Sequence, residues 1–151
     1  MAEGLFYLDL VQPEAMKDRL NAVSMDNWIH CIDEALRKSR GAIGGAGVPA
    51  MEGQRQMEAE KPAPTTPTRA DIGFLNVLHI KPSAHLDMLR RLGLREDQSV
   101  YLSHYGHIGQ QDAIFSIVAG LRHGRLKDGD LMVIVAAGIG YAWGAAVVRW
   151  G

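Results

Sequence analysis

Cysteine is almost missing from this chain. Its 151 residues include one, Cys31, which excludes an internal disulfide framework and fits a reducing compartment. A surplus of one charge sign is lacking too: 16 Lys and Arg stand against 17 Asp and Glu, a formal net charge of -1. With no basic cluster, nucleic acid and anionic membrane surfaces are not expected as partners. No apolar run reaches membrane-spanning length. The nearest, LMVIVAAGIGYAWGAAVVRW, is broken by Gly138, Gly140 and Gly144 and reads as strands. The opening MAEGLFYLDL has no basic segment ahead of a long apolar one, so no signal peptide is expected and the cytoplasm is the default compartment. The remaining composition, 47% hydrophobic and 22% charged, is that of a globular chain long enough to bury most of one core.

The chain divides into three stretches: 1–40, 41–69 and 70–151. In the first, GLFYLDL has strand composition, PEAMKDRL reads as a short helix from Pro13, and Ser24 caps a second helix. Trp28, Ile29, Ile32, Ala35 and Leu36 form that second helix's apolar stripe, which is expected to stop near Gly41. The stretch 41–69 is rich in Gly, Pro, Thr and Glu without periodicity and reads as a flexible linker or insertion. Order returns with a strand at Phe74–Ile80 and a helix capped by Ser83, with Leu86, Leu89 and Leu92 as its apolar positions. SVYLSHY follows as a short strand. A helix over QQDAIFSIVAGLRHG then places Ile114, Ile117, Val118 and Leu121 on one face, and Gly124 stops it. LMVIVAAG reads as a fully buried strand, and YAWGAAVVRWG as a terminal one. The order strand–helix–strand–helix–strand–strand predicts a layered α/β fold, with a mixed sheet flanked by helices and ending in an antiparallel pair.

In α/β sheets the working groups gather at the carboxyl ends of strands. His79 ends one strand, His107 follows another, and the bend Gly138–Ile139–Gly140 follows a third, so three loops could converge on one edge. His104 and His107 could supply two metal ligands, but three or four are usual, and no metal is expected. GIG lacks the following helix of a dinucleotide fingerprint, so no dinucleotide cofactor is expected; a glycine bend with amides facing a reacting oxygen fits as well. Cys31, beside the apolar stripe of its helix, reads as a small core residue.

The run NVLHIKPSAHLDMLRRLGL, continued by SVYLSHYGHIGQQDAIFSIVAGLRHGRLKDGDLMVIVAAGIGYAWGAAVVRW, resembles the C-terminal part of a β-ketoacyl-acyl-carrier-protein synthase III, within the thiolase-like superfamily. The closing segment, a glycine-rich strand end followed by Trp-Gly and a last strand with Arg and an aromatic, is its most specific piece. The likeness covers about Leu75 to Trp150. Met1–Arg40 fits as the preceding strand and helix, and Gly41–Arg69 has no counterpart.

The resemblance implies a thiolase-like half-domain and Claisen-type carbon–carbon bond formation between acyl thioesters. The family's His-Gln-Ala-Asn motif falls on His79-Ile80-Lys81-Pro82, so only the histidine carries over. Its Gly-Asn pair falls on Gly106-His107, placing a histidine where asparagine is usual, as in the Cys-His-His set of related elongating enzymes. His79 and His107 are thus implied as catalytic N–H donors to a thioester oxygen, with the Ile139 amide, flanked by Gly138 and Gly140, as the oxyanion donor. No role carries over to His104. The family's nucleophilic cysteine belongs to the preceding half of such enzymes, and Cys31 does not match its setting. The resemblance therefore implies a partner chain carrying the first half, an oligomer, and acyl-CoA or acyl carrier protein as substrate carrier, with no further cofactor. The alternative is a non-catalytic structural or regulatory subunit, or a relic, of such an enzyme.

Overall fold

The computed structural model describes residues 13–40, 65–138 and 141–151. The expected strand at Gly4–Leu10, most of the stretch 41–69, Ile139 and Gly140 lie outside them. The first element, α1, is one continuous helix over Pro13–Lys38. Sequence reading divided it at Ser24, but no proline or glycine interrupts the chain between Leu20 and Met25, so propagation continues straight through. Trp28, Ile32 and Leu36 on its second half are buried. At roughly 1.5–3 kcal/mol for each fully buried side chain, that face holds the helix to the sheet.

Three strands make the sheet, in the order β1 (Ile72–Val77), β2 (Leu131–Gly138), β3 (Ala142–Arg149). β1 pairs parallel with β2, and β2 antiparallel with β3 from Leu131↔Arg149 to Gly138↔Ala142. The mixed sheet, its flanking helices and the terminal antiparallel pair agree with the fold class read from sequence. β1 begins and ends earlier than the Phe74–Ile80 expected, and its register slips between Ile72 and Phe74. One residue, Gly73, is extra there. Ile72 and Leu75 consequently point to one face and Phe74 to the other, so both faces are filled.

On the first face, α1 and α2 (Pro82–Leu92) cover Ile72, Leu75, Val77, Leu131, Val133 and Val135. α2 starts with Pro82 at its first position and ends at Gly93, whose φ of 72° closes the helix. Ser83 is therefore not the cap, and Leu86 is exposed; His85 and Met88 take the inner positions instead. SVYLSHY forms no full strand. Only Ser99 bridges to Leu75, and its hydroxyl donates to the Leu75 carbonyl at 2.7 Å. β2 is buried through Val135 but exposed from Ala136 to Gly138, so it is not buried throughout as expected.

The second face carries α3 (Gln111–Arg122), and here the sequence pattern misleads most. The buried positions are Asp112, Ser116 and Gly120; of the expected face Ile117 is half-buried against the second core, while Ile114, Val118 and Leu121, with Phe115, are exposed. Small and polar residues face the sheet because α3 lies very close to it. A Cβ on Gly120 would stand 2.7 Å from Phe74 Cζ and 3.2 Å from Leu126 Cβ. Gly120→Ala is therefore expected to cost about 1–3 kcal/mol by overpacking, read as a lower midpoint in denaturant unfolding. An unchanged midpoint would mean that the helix has room to lift.

Candidate functional site

Three chain segments meet at the carboxyl end of the two parallel strands. Leu78 and His79 leave β1, Gly138 ends β2, and the loop through His107 enters α3. The group that joins them is Asp112, whose residue is 1% exposed. Its Oδ1 accepts the Ile108 N–H at 2.9 Å. Its Oδ2 accepts the backbone N–H of His79 at 2.8 Å and stands 2.6 Å from His107 Nδ1. One carboxylate thus ties the backbone at the end of β1 to the histidine loop.

Burial opposes the charge on Asp112, but the Ile108 amide, the His79 amide and the His107 ring together outweigh it and hold the carboxyl below its ordinary value. The sign follows from linkage. A carboxylate with a lowered folded-state pKa adds stability that is present above the unfolded pKa, and this is lost as pH falls through the folded value. Thermal melts are expected to drop below about pH 4, and Asp112→Asn to flatten that acid limb. An equal acid limb in the variant would assign the loss to other carboxylates.

The same carboxylate fixes the state of His107. An ionised carboxylate only accepts, so Nδ1 carries the hydrogen and, in the neutral ring, Nε2 carries the lone pair. The His107 side chain is 57% exposed and lines an open cleft of about 430 Å³ together with Leu78, Gln111, Ala136 and Gly138. Gly138, expected at the oxyanion bend, therefore shares the cleft with His107; its neighbours Ile139 and Gly140 are outside the described residues.

His79 behaves differently. Its amide serves the Asp112 centre, but its ring lies against Tyr101, with centroids 5.2 Å apart, and Tyr101 in turn meets the edge of His85 at 5.5 Å. His79 Nδ1 is buried without a hydrogen-bond partner among the described residues. His85 is held below the usual histidine range chiefly by its burial. His104 sits apart, lining a second groove between the 100–105 segment and α3 with Tyr105, Ile114 and Phe115. Cys31 donates a weak hydrogen bond to the Trp143 carbonyl at 3.5 Å, on the α1 side of β3. Among the described residues no three His, Cys, Asp or Glu side chains gather as a metal site would require, and no helix is long and apolar enough to cross a membrane.

Sequence reasoning missed Asp112. An acidic residue in the first turn of a helix is ordinary dipole chemistry. Only its spacing of five from His107, across a turn into the helix, hinted that the two would meet.

A three-stranded mixed sheet with helices on both faces, and a polar cluster at its carboxyl edge, make a layered α/β domain. The model of the 3-oxoacyl-[acyl-carrier-protein] synthase III C-terminal family matches residues 65–150, and this chain belongs to that family. The β-ketoacyl-[acyl-carrier-protein] synthase III of Staphylococcus haemolyticus is 42% identical over 62 residues, 40% of this chain and 20% of that protein. The corresponding synthase III 1 of Bacillus cereus is 35% identical over 86 residues, covering 56% and 27%. The synthase III structure from Thermus thermophilus has a TM-score of 0.64 at 21% identity, covering 89% of this chain and 34% of that one. That from Pseudomonas aeruginosa gives 0.59 at 16%, covering 99% and 39%. The chain thus spans about a fifth to a quarter of the length of the curated relatives it matches.

Proposed function

We propose that this chain supplies the second half of an acyl-thioester condensing enzyme that forms carbon–carbon bonds by Claisen-type chemistry in the cytoplasm. The observation that carries the reading is the Asp112 centre, which draws His107 and the His79 backbone together beside Gly138 at the carboxyl edge of a family-matched sheet. His107 and His79 are the residues proposed to act on substrate, with the Ile139 amide between Gly138 and Gly140 as the oxyanion donor. Acyl-CoA or acyl carrier protein would deliver the acyl group.

The nucleophilic cysteine is assigned to a partner chain carrying the first thiolase-like half. Cys31 donates to the Trp143 carbonyl and is not among the residues that line the cleft with His107. The exposed apolar residues Ile114, Phe115, Val118 and Leu121 on α3 support such a partner, since a helix with its apolar side outward is covered in an assembly. Co-expression with genomic neighbours tests the reading by co-purification and by acyl-thioester turnover. The isolated chain is expected to take no acyl group on Cys31 by intact mass after exposure to acyl-CoA; an adduct there would remove the need for a partner nucleophile.

One observation favours the second reading, a non-catalytic subunit. The His79 ring lies against Tyr101 and is not among the side chains lining the cleft. A co-purifying complex whose turnover is indifferent to His107→Ala would establish that reading.

A further inference from the structure

We propose that Asp112 is a positioning residue that makes His107 a proton acceptor, and that the acceptor thioester at this site gives up a proton rather than a carboxylate. The proposal rests on the acyl-thioester reading above and narrows its substrate class. Condensation that begins with decarboxylation generates its carbanion by losing carbon dioxide. It needs no base, but it needs N–H donors at the thioester oxygen.

His107 is arranged for the opposite task. Its Nδ1–H is committed to a carboxylate 2.6 Å away, buried and held by two backbone amides, so the neutral ring offers the cleft a lone pair at Nε2 and no donor. Fixing one ring nitrogen by a buried aspartate so that the other works as a base is the logic of hydrolase triads. A second observation concerns charge. Among the described residues, the walls of the His107 cleft include no Lys or Arg, and the one carboxylate there, Asp112, has the same sign as a malonyl-type carboxylate. An acceptor bearing a free carboxylate would meet no counter-charge on this half.

The step balances without a co-reactant. His107 Nε2 takes the α-proton of the acceptor thioester, and that C–H electron pair forms the new bond to the acyl carbon held on the partner's cysteine. The C–S bond breaks, and the departing thiolate recovers the proton from the imidazolium. A β-ketoacyl thioester and a free cysteine result, with no carbon dioxide released.

Two experiments test this on the full chain. Long-range ¹H–¹⁵N spectra of the histidine rings, with His107 assigned by its loss in His107→Ala, are expected to show the Nδ1–H tautomer. In Asp112→Asn the amide NH₂ can donate to Nδ1, and the ring is expected to change to Nε2–H. Finding Nε2–H in the unsubstituted chain overturns the positioning role, even if the Asn variant does not fold.

In the co-expressed complex, a plain acyl-CoA acceptor in deuterated water is expected to acquire deuterium at its α-carbon and to condense. Asp112→Asn is expected to lower both by on the order of 10²–10⁴-fold, the usual span for a positioned acid–base group. Turnover with malonyl thioester alone, with one carbon dioxide per product, overturns the acceptor class while leaving the condensing function intact. A complex inert to both acceptors overturns the condensing function itself.

Discussion

In a complex rebuilt with a cysteine-bearing first half, His107→Ala is expected to slow condensation by on the order of 10²–10⁴-fold while leaving the melting temperature nearly unchanged. The two effects separate because the His107 ring is 57% exposed and, among the described residues, is hydrogen-bonded to Asp112 alone. Removing it costs little packing but empties the cleft of its imidazole. His79→Ala is expected to lose stability as well as rate, since its ring packs against Tyr101 with Nδ1 buried. His104→Ala, on the separate groove against α3, is expected to change the rate far less. Initial rates with an acyl thioester, set beside thermal melts of each variant, check all three. If His107→Ala retained its full rate, the site would not be where the Asp112 centre puts it.

The second large effect is expected on the outer side of α3. Ile114→Asp combined with Val118→Asp places two carboxylates on a surface that the proposed first half would cover. A protein interface of ordinary size buries about 1,600 Å² in total, and an unpaired charge inside it costs on the order of 3–5 kcal/mol. Co-purification of the partner is therefore expected to vanish. Both residues are already exposed, Ile114 at 61% and Val118 at 39%, so the chain itself is expected to keep its fold and gain solubility. Size-exclusion chromatography with circular dichroism separates the outcomes: a complex that survives both charges would place the partner elsewhere.

β1, β2, β3, α2 and α3 were legible because the strands are short apolar or β-branched runs, and because Gly93 and Gly124 stop their helices with positive φ; SVYLSHY, read as a strand, keeps only the bridge at Ser99. The apolar stripe of α3 was equally legible, but of its four residues only Ile117 packs on the chain's own core. Periodicity reports which residues share a face, not which face meets this chain's own sheet. Gly120 decides that, through its contact with Phe74, and a lone glycine in a helical pattern carries no such message. The histidine edge could be inferred from strand ends. Asp112 could not, because its role depends on a three-way meeting of amides and a ring that no local pattern encodes.

Arg69 donates from Nε and Nη2 to both carboxylate oxygens of Asp33, at 2.7 and 2.6 Å, where the chain re-enters the described fold toward β1. The guanidinium fork acts as a stitch across an excursion. Whatever the chain does between Arg40 and Thr65, it leaves from the end of α1 and is returned to the side of the same helix. The length of such an excursion is nearly free: each doubling of a closed loop costs only about 0.6 kcal/mol in chain entropy. Insertions, tags or a short replacement at this point would be closed by the Arg69–Asp33 pair, while the edge that carries His107 and Asp112 stays where the sheet holds it.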